Sequence, residues 1–210
     1  MWIPNDVSLY SISMDKDAIF IYMVVILMIF ACGYMYFDRS DFELKCVVST
    51  QDGNKYCVRE SGKVAESADL LARATGKCKQ LVKYVGEKYP DKENVKRLVA
   101  GFNPKKIMET LPTSELTAYS ENKGEKIAFC LNTEKNGNVP IDEHTLTFVA
   151  IHELSHIATK SIGHKDDFWD NFKFLLLEAK EAGIHTPKDY KKEPQKYCGM
   201  MIKDNPAYDR

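Results

Sequence analysis

The sequence predicts an α+β fold: one N-terminal transmembrane helix, then a small domain with a mostly helical core, a short β-sheet and a buried helix bearing His-Glu-x-x-His. Three observations predict it. Residues Ala18–Phe37 run for 20 residues without a charge. Later segments are apolar at helical spacing or apolar all round. Between them lie short stretches that turn at Asp52-Gly53-Asn54 and Asn122-Lys123-Gly124, the punctuation of strand pairs.

The first segment, "AIFIYMVVILMIFACGYMYF", spans roughly 30 Å as a helix, the thickness of a bilayer's hydrocarbon core. Tyr22, Tyr34 and Tyr36 stand near its ends, where amphipathic rings prefer the interface. The preceding "SISMDKDA" is acidic, unlike a cleavable signal, so the segment reads as an uncleaved anchor at 18–37 behind a tail at 1–17. Lys16 alone precedes it among Asp6, Asp15 and Asp17, whereas Arg39, Lys45 and Lys55 follow. That excess predicts a cytosolic C-terminal portion.

The chain of 210 residues has a net charge of −1, and the part after residue 43 keeps 27 basic and 24 acidic side chains, a net +3. Neither value nor any basic stripe points to nucleic acid as a partner. Six cysteines, at 32, 46, 57, 78, 130 and 198, form no CxxC pair, which excludes a zinc ribbon. With Cys32 in the anchor, five remain. An odd count and the lack of Asn-x-Ser/Thr acceptors predict a reducing compartment.

Residues 38–61 read as a linker or small strand pair. From Val64, apolar positions at Ala68, Leu71, Thr75, Cys78, Val82, Val85 and Tyr89 alternate by three and four, a helix closed by Pro90. A shorter helix follows through Val95, Leu98, Val99 and Phe102, and "ELTAYSENKGEKIAFCL" reads as two strands. An almost uniformly apolar helix begins near Leu146, and an amphipathic one runs from about Asp166 to Ala182, stopped by Gly183. The segment 188–210 is polar and Pro-punctuated and receives no element.

The chemistry sits in "FVAIHELSHIATKSIGHKDDFW". His152 and His156 lie about 40° apart and one turn along, so both imidazoles project from one side, the spacing at which two nitrogens meet one ion. Glu153 lies about 100° round from His152, beside that ion, where it can take a proton from water and pass it to a leaving amine. A catalytic Zn²⁺ needs a third protein ligand and an open fourth position. On a straight helix His164 would lie about 12 Å past His156. Gly163 lets the chain turn back and makes His164 reachable. Glu178 is the alternative third ligand. His144 and His185 are expected to be solvated or local caps, and Asp166 and Asp167 to cap the last helix or orient an imidazole. Cys198 could supply a fourth ligand or a latency switch, and Tyr190 or Tyr197 could stabilise an oxyanion.

These residues resemble the HExxH…HxxxFW pattern of the small WLM-like and SprT-like zinc metallopeptidases. The resemblance implies a zincin-like domain over 62–187, with His152, His156 and His164 on zinc, Glu153 as catalytic base, and Phe168 and Trp169 packed behind the site. Seven residues separate His156 from His164, against five in WLM-like proteins. The anchor with "TAYSENKGEKIAFCL" and "YKKEPQKYCGM" also resembles uncharacterised membrane-anchored viral proteins regarded as metallopeptidases of large DNA viruses. This second likeness implies a viral or host intracellular membrane, and the zincin likeness implies a substrate edge strand before the active helix, placed at Ile127, Phe129 and Leu131. The implied function is a membrane-anchored zinc endopeptidase acting on a protein or peptide. The alternatives are a non-catalytic zinc-stabilised scaffold and a protease of DNA-linked proteins.

Overall fold

The computed structural model describes residues 15–37 and 44–209, so most of the expected tail 1–17 lies outside the described residues. Helix α1 (Lys16–Phe37) is the one helix among them long and apolar enough to cross a membrane. The rest of the chain, from residue 41, forms a separate compact unit.

That unit is α+β. Its elements are β1 (Leu44–Val48), β2 (Lys55–Arg59), α2 (Val64–Lys88), α3 (Glu93–Gly101), β3 (Ile107–Glu109), β4 (Ala118–Glu121), β5 (Lys126–Phe129), α4 (Glu143–Ala158), α5 (Asp166–Glu181), β6 (Gln195–Tyr197), β7 (Met200–Ile202) and α6 (Pro206–Asp209). The five-stranded sheet has the order β1-β2-β3-β5-β4. Its outer pairs are antiparallel and its two central pairings parallel. Helix α2 crosses β1–β3 and α4 crosses β5 and β4, while α4 also packs against α2, α3 and α5. Thus α4 is surrounded. Its sequence, apolar on nearly every side, is what a helix with no solvent face requires.

The segment expected to be a linker at 38–61 instead supplies β1 and β2 to the sheet. The strand pair expected there is real, but it is part of the domain. The 188–210 segment also folds, as hairpin β6–β7 and helix α6.

The odd cysteine count does not prevent disulfides. Cys46 pairs with Cys57 across β1–β2, and Cys130 pairs with Cys198 over a separation of 68 residues. Cys78 is the odd thiol, buried in α2, and Cys32 lies in α1. The first bridge follows from facing positions in one antiparallel register. The second needs the C-terminal hairpin to reach the end of β5, a tertiary fact.

At the C-terminal ends of β2 and β3, Arg59 and Glu109 form a buried ion pair at 3.3 Å. Glu109 also accepts the Arg59 backbone N–H (2.8 Å), and the guanidinium donates to Thr110 O, Thr110 Oγ1 and Lys135 O. These bonds join β2, β3 and the loop that receives the C-terminal hairpin.

Candidate metal centre

Helix α4 starts at Asp142, whose carboxylate accepts from Thr145 N (2.8 Å) and Thr145 Oγ1 (2.6 Å). Its other end is held by two basic side chains. Lys123 Nζ donates to the carbonyls of His156, Thr159 and Ser161, and Arg97 Nε donates to Ala158 O. A cation suits the carbonyl end of a helix. Lys123 reaches it from the β4–β5 turn, where Asn122, Lys123 and Gly124 all take positive φ. Gly124 is required there, because a Cβ would stand 2.4 Å from Gly101 O.

Beyond Ser161 the chain reverses through Gly163 at φ +81°, the left-handed conformation that the sequence predicts. Asp167 does not cap α5. The N-cap is Lys165, and Asp167 accepts from Ser161 Oγ at 2.6 Å, pinning the loop that carries His164. Trp169 Nε1 donates to His164 O at 3.1 Å.

The result brings His152, His156 and His164 together. One ring nitrogen from each lies within 4.8 Å of the others, the one such group among the described residues that could hold a metal ion. His152 Nε2 and His164 Nε2 are 3.0 Å apart. Nitrogens at 2.0–2.1 Å from a tetrahedral ion stand about 3.3 Å from one another, so closing the widest pair takes a shift of about 1.5 Å at most. The donor set fits a metal ion. Phe168, fully buried, supports all three imidazoles, with ring centroids 4.8, 4.3 and 4.6 Å from His152, His156 and His164.

Burial lowers His152 to about 3 and His156 to about 4, with neighbouring charges adding to each shift. Neutral imidazole is the ligand form. Glu153 is 4 % exposed, and burial raises its carboxyl to about 8. A divalent cation beside it opposes that shift and favours the carboxylate.

The other sequence candidates fall elsewhere. Glu178 is buried as expected but faces α2: Lys88 Nζ and Tyr89 OH donate to its two oxygens, each at 2.8 Å. It is absent from the converging group. Cys198 is bridged to Cys130, which removes its free thiolate from both suggested roles. Tyr190 is fully buried against Phe148, with ring centroids 4.8 Å apart, and does not line the histidine cleft. Tyr197 lines the cleft, but its hydroxyl donates to Thr117 O (3.1 Å) and accepts from Cys130 N (3.2 Å). Contrary to expectation, His185 is 4 % exposed and stacks on His144 at 4.3 Å; His144 Nε2 donates to Thr186 O.

Nor are Ile127, Phe129 and Leu131 on an edge strand. All three are buried, and β5 lies between β3 and β4. A four-residue strand carries no sign in sequence of which neighbours flank it. The edge strands are β1 and β4, and β4 is the one beside α4. Cys130 N–H bonds Thr117 O, so by antiparallel alternation Ala118 and Ser120 direct their N–H and C=O groups outward.

A cleft of about 400 Å³ runs from the histidines past Thr117 and Ala118. Its other walls include Phe148, Val149, Trp169 and Phe172 from α4 and α5, and Tyr197, Met200, Met201, Ile202, Lys203 and Asp204 from the C-terminal hairpin and the residues after it. Sequence reasoning missed the hairpin. The available signal was Cys198-Gly199, a turn flanked by "QKY" and "MMI".

No family model matches the chain, and no solved structure matches it. It is similar to an uncharacterised protein of Acanthamoeba polyphaga mimivirus, 26 % identical over 191 residues, which cover 89 % of this chain and 96 % of the relative. An uncharacterised protein of Invertebrate iridescent virus 3 is 32 % identical over 99 residues, 47 % of this chain and 57 % of that one. One of Invertebrate iridescent virus 6 is 28 % identical over 103 residues, 48 % of this chain and 56 % of the other. The chain is thus similar to viral proteins, over most of its length in the first case.

Proposed function

We propose that the globular unit is a zinc-dependent endopeptidase tethered by α1. The observation that carries the reading is the convergence of His152, His156 and His164 beside buried Glu153. A structural zinc needs four protein ligands. Among the described residues three converge, and Cys198 is committed to its bridge, which favours an open fourth position over a scaffold's closed site. Bound there, zinc would supply Lewis acidity toward water and a peptide carbonyl. Glu153 takes the proton from water and returns it to the leaving amine. The substrate strand adds to the outward groups of Ala118 and Ser120 on β4, beside the histidines.

The test uses full-length protein in nanodiscs and a proteome-derived peptide library. Cleavage is expected with zinc, lost after chelation and restored by zinc. Zinc-bound protein that cleaves nothing would remove the peptidase reading.

The two disulfides also bear on topology. Bridges persist in oxidising compartments, and the basic residues after α1 are offset by Asp38, Asp41 and Glu43. We therefore place the globular unit on the oxidising side, reversing the orientation that charge alone suggests. Protease treatment of sealed microsomes should leave it protected; digestion would restore the cytosolic placement.

A further inference from the structure

We propose that hairpin β6–β7 builds the specificity pocket of this site and restricts it to extended peptides carrying a bulky apolar side chain, such as Leu, Met or Phe, next to the cleaved bond. The inference rests on the peptidase reading and adds the substrate class.

His152, Glu153 and His164 share the cleft with a group of apolar side chains: Phe148, Val149 and Phe172 from the helices, and Met200, Met201 and Ile202 from β7. Phe172 lies against His152, with ring centroids 5.1 Å apart, and Lys203 and Asp204 complete the lining after β7. Phe148 and Val149 sit four and three residues before His152, hence on the same side of α4 and about one turn below it. A peptide strand laid along β4 passes Thr117 and Ala118, which border the same cleft, so its side chain beside the histidines meets these apolar walls.

The β7 wall is held in place. Cys198 N and Gly199 N donate to Asn132 O (3.0 Å) and Thr133 O (2.8 Å), and Cys130–Cys198 adds a covalent tie. Tyr197 OH bridges Thr117 O and Cys130 N, fixing the hairpin to both strands beside the cleft. Thr117 Oγ1 also meets Met200 Sδ at 3.7 Å. A pocket held this way costs little ordering when filled.

Met200 and Met201 are nonetheless 49 % and 43 % exposed. Two thioethers at the mouth leave apolar surface in water that a substrate side chain would cover. Their flexible, polarizable chains adapt to branched, linear and aromatic shapes alike. The pocket therefore selects bulk and apolarity and does not select one residue type.

The test uses full-length, zinc-loaded protein in nanodiscs and peptides that differ only in the residues flanking the cleaved bond. Leu, Met or Phe at one flank should raise kcat/KM roughly 10–100-fold over Ala, with Asp lower still. Met201→Lys should cut that ratio about fivefold or more, on the order of what a lost apolar contact costs. Val149→Trp should fill the floor and shift preference toward Ala, and zinc content reports whether each variant folds. Cleavage without apolar preference overturns the inference, as does a preference that both folded variants leave unchanged. If nothing is cleaved, the peptidase reading fails and fluorescence anisotropy of the same peptides decides separately. Capture that depends on the apolar residue supports the pocket, and capture indifferent to it overturns it.

Discussion

Replacing Glu153 by Gln is expected to lower peptide hydrolysis by at least about 10², the contribution of a general base, while zinc content stays at the wild-type level. The amide keeps the size of the side chain and cannot accept the proton. Glu153 is absent from the converging ligand group, so the metal has no reason to leave. The residue is almost completely buried, and burial pushes its carboxyl up to about 8. A neutral amide there removes a desolvated acid, so the unfolding temperature should be unchanged or slightly raised. Comparing rate and zinc content on the same preparation checks it. Equal rates in the two proteins would exclude Glu153 as the base.

The largest effect on stability is expected from Glu109→Ala, a residue outside the converging histidine group. It leaves the Arg59 guanidinium buried without its carboxylate, and removes the acceptor of the Arg59 backbone N–H. Breaking a buried pair in this way costs about 3–5 kcal/mol, which for a domain of this size lowers Tm by roughly 6–20 °C. Thermal unfolding measures it. A loss below about 1 kcal/mol would mean that water reaches Arg59 and the pair is not buried in solution.

Much of the helical frame was legible in the sequence, because helices announce themselves within a few turns. The stripe from Val64 to Tyr89 became α2, Asp142 became the α4 N-cap, and Gly183 took the positive φ expected after α5. The three histidines were legible for the same reason, since a helical pair, a glycine and a third histidine are local facts. What failed depended on partners distant in sequence. The rotation of α5 decides whether Glu178 meets the ion or Lys88, and its periodicity gave burial without direction. The exchange of β5 for β4 as the edge comes from β3, a three-residue strand whose parallel pairing inserts nothing recognisable into the sequence. The C-terminal hairpin is two strands of three residues in a polar, Pro-punctuated stretch. Contacts to Asn132, Thr133 and Cys130 make it, and none of those is near it in sequence.

The central claim is that His152, His156 and His164 hold zinc, and metal analysis of full-length protein tests it most directly. Wild type and Glu178→Ala should each retain close to one zinc per chain, and His164→Ala should lose it, because two imidazoles on one helix leave the ion short of its third protein ligand. Zinc kept by His164→Ala and lost from Glu178→Ala, or a wild type that binds none, would contradict the claim.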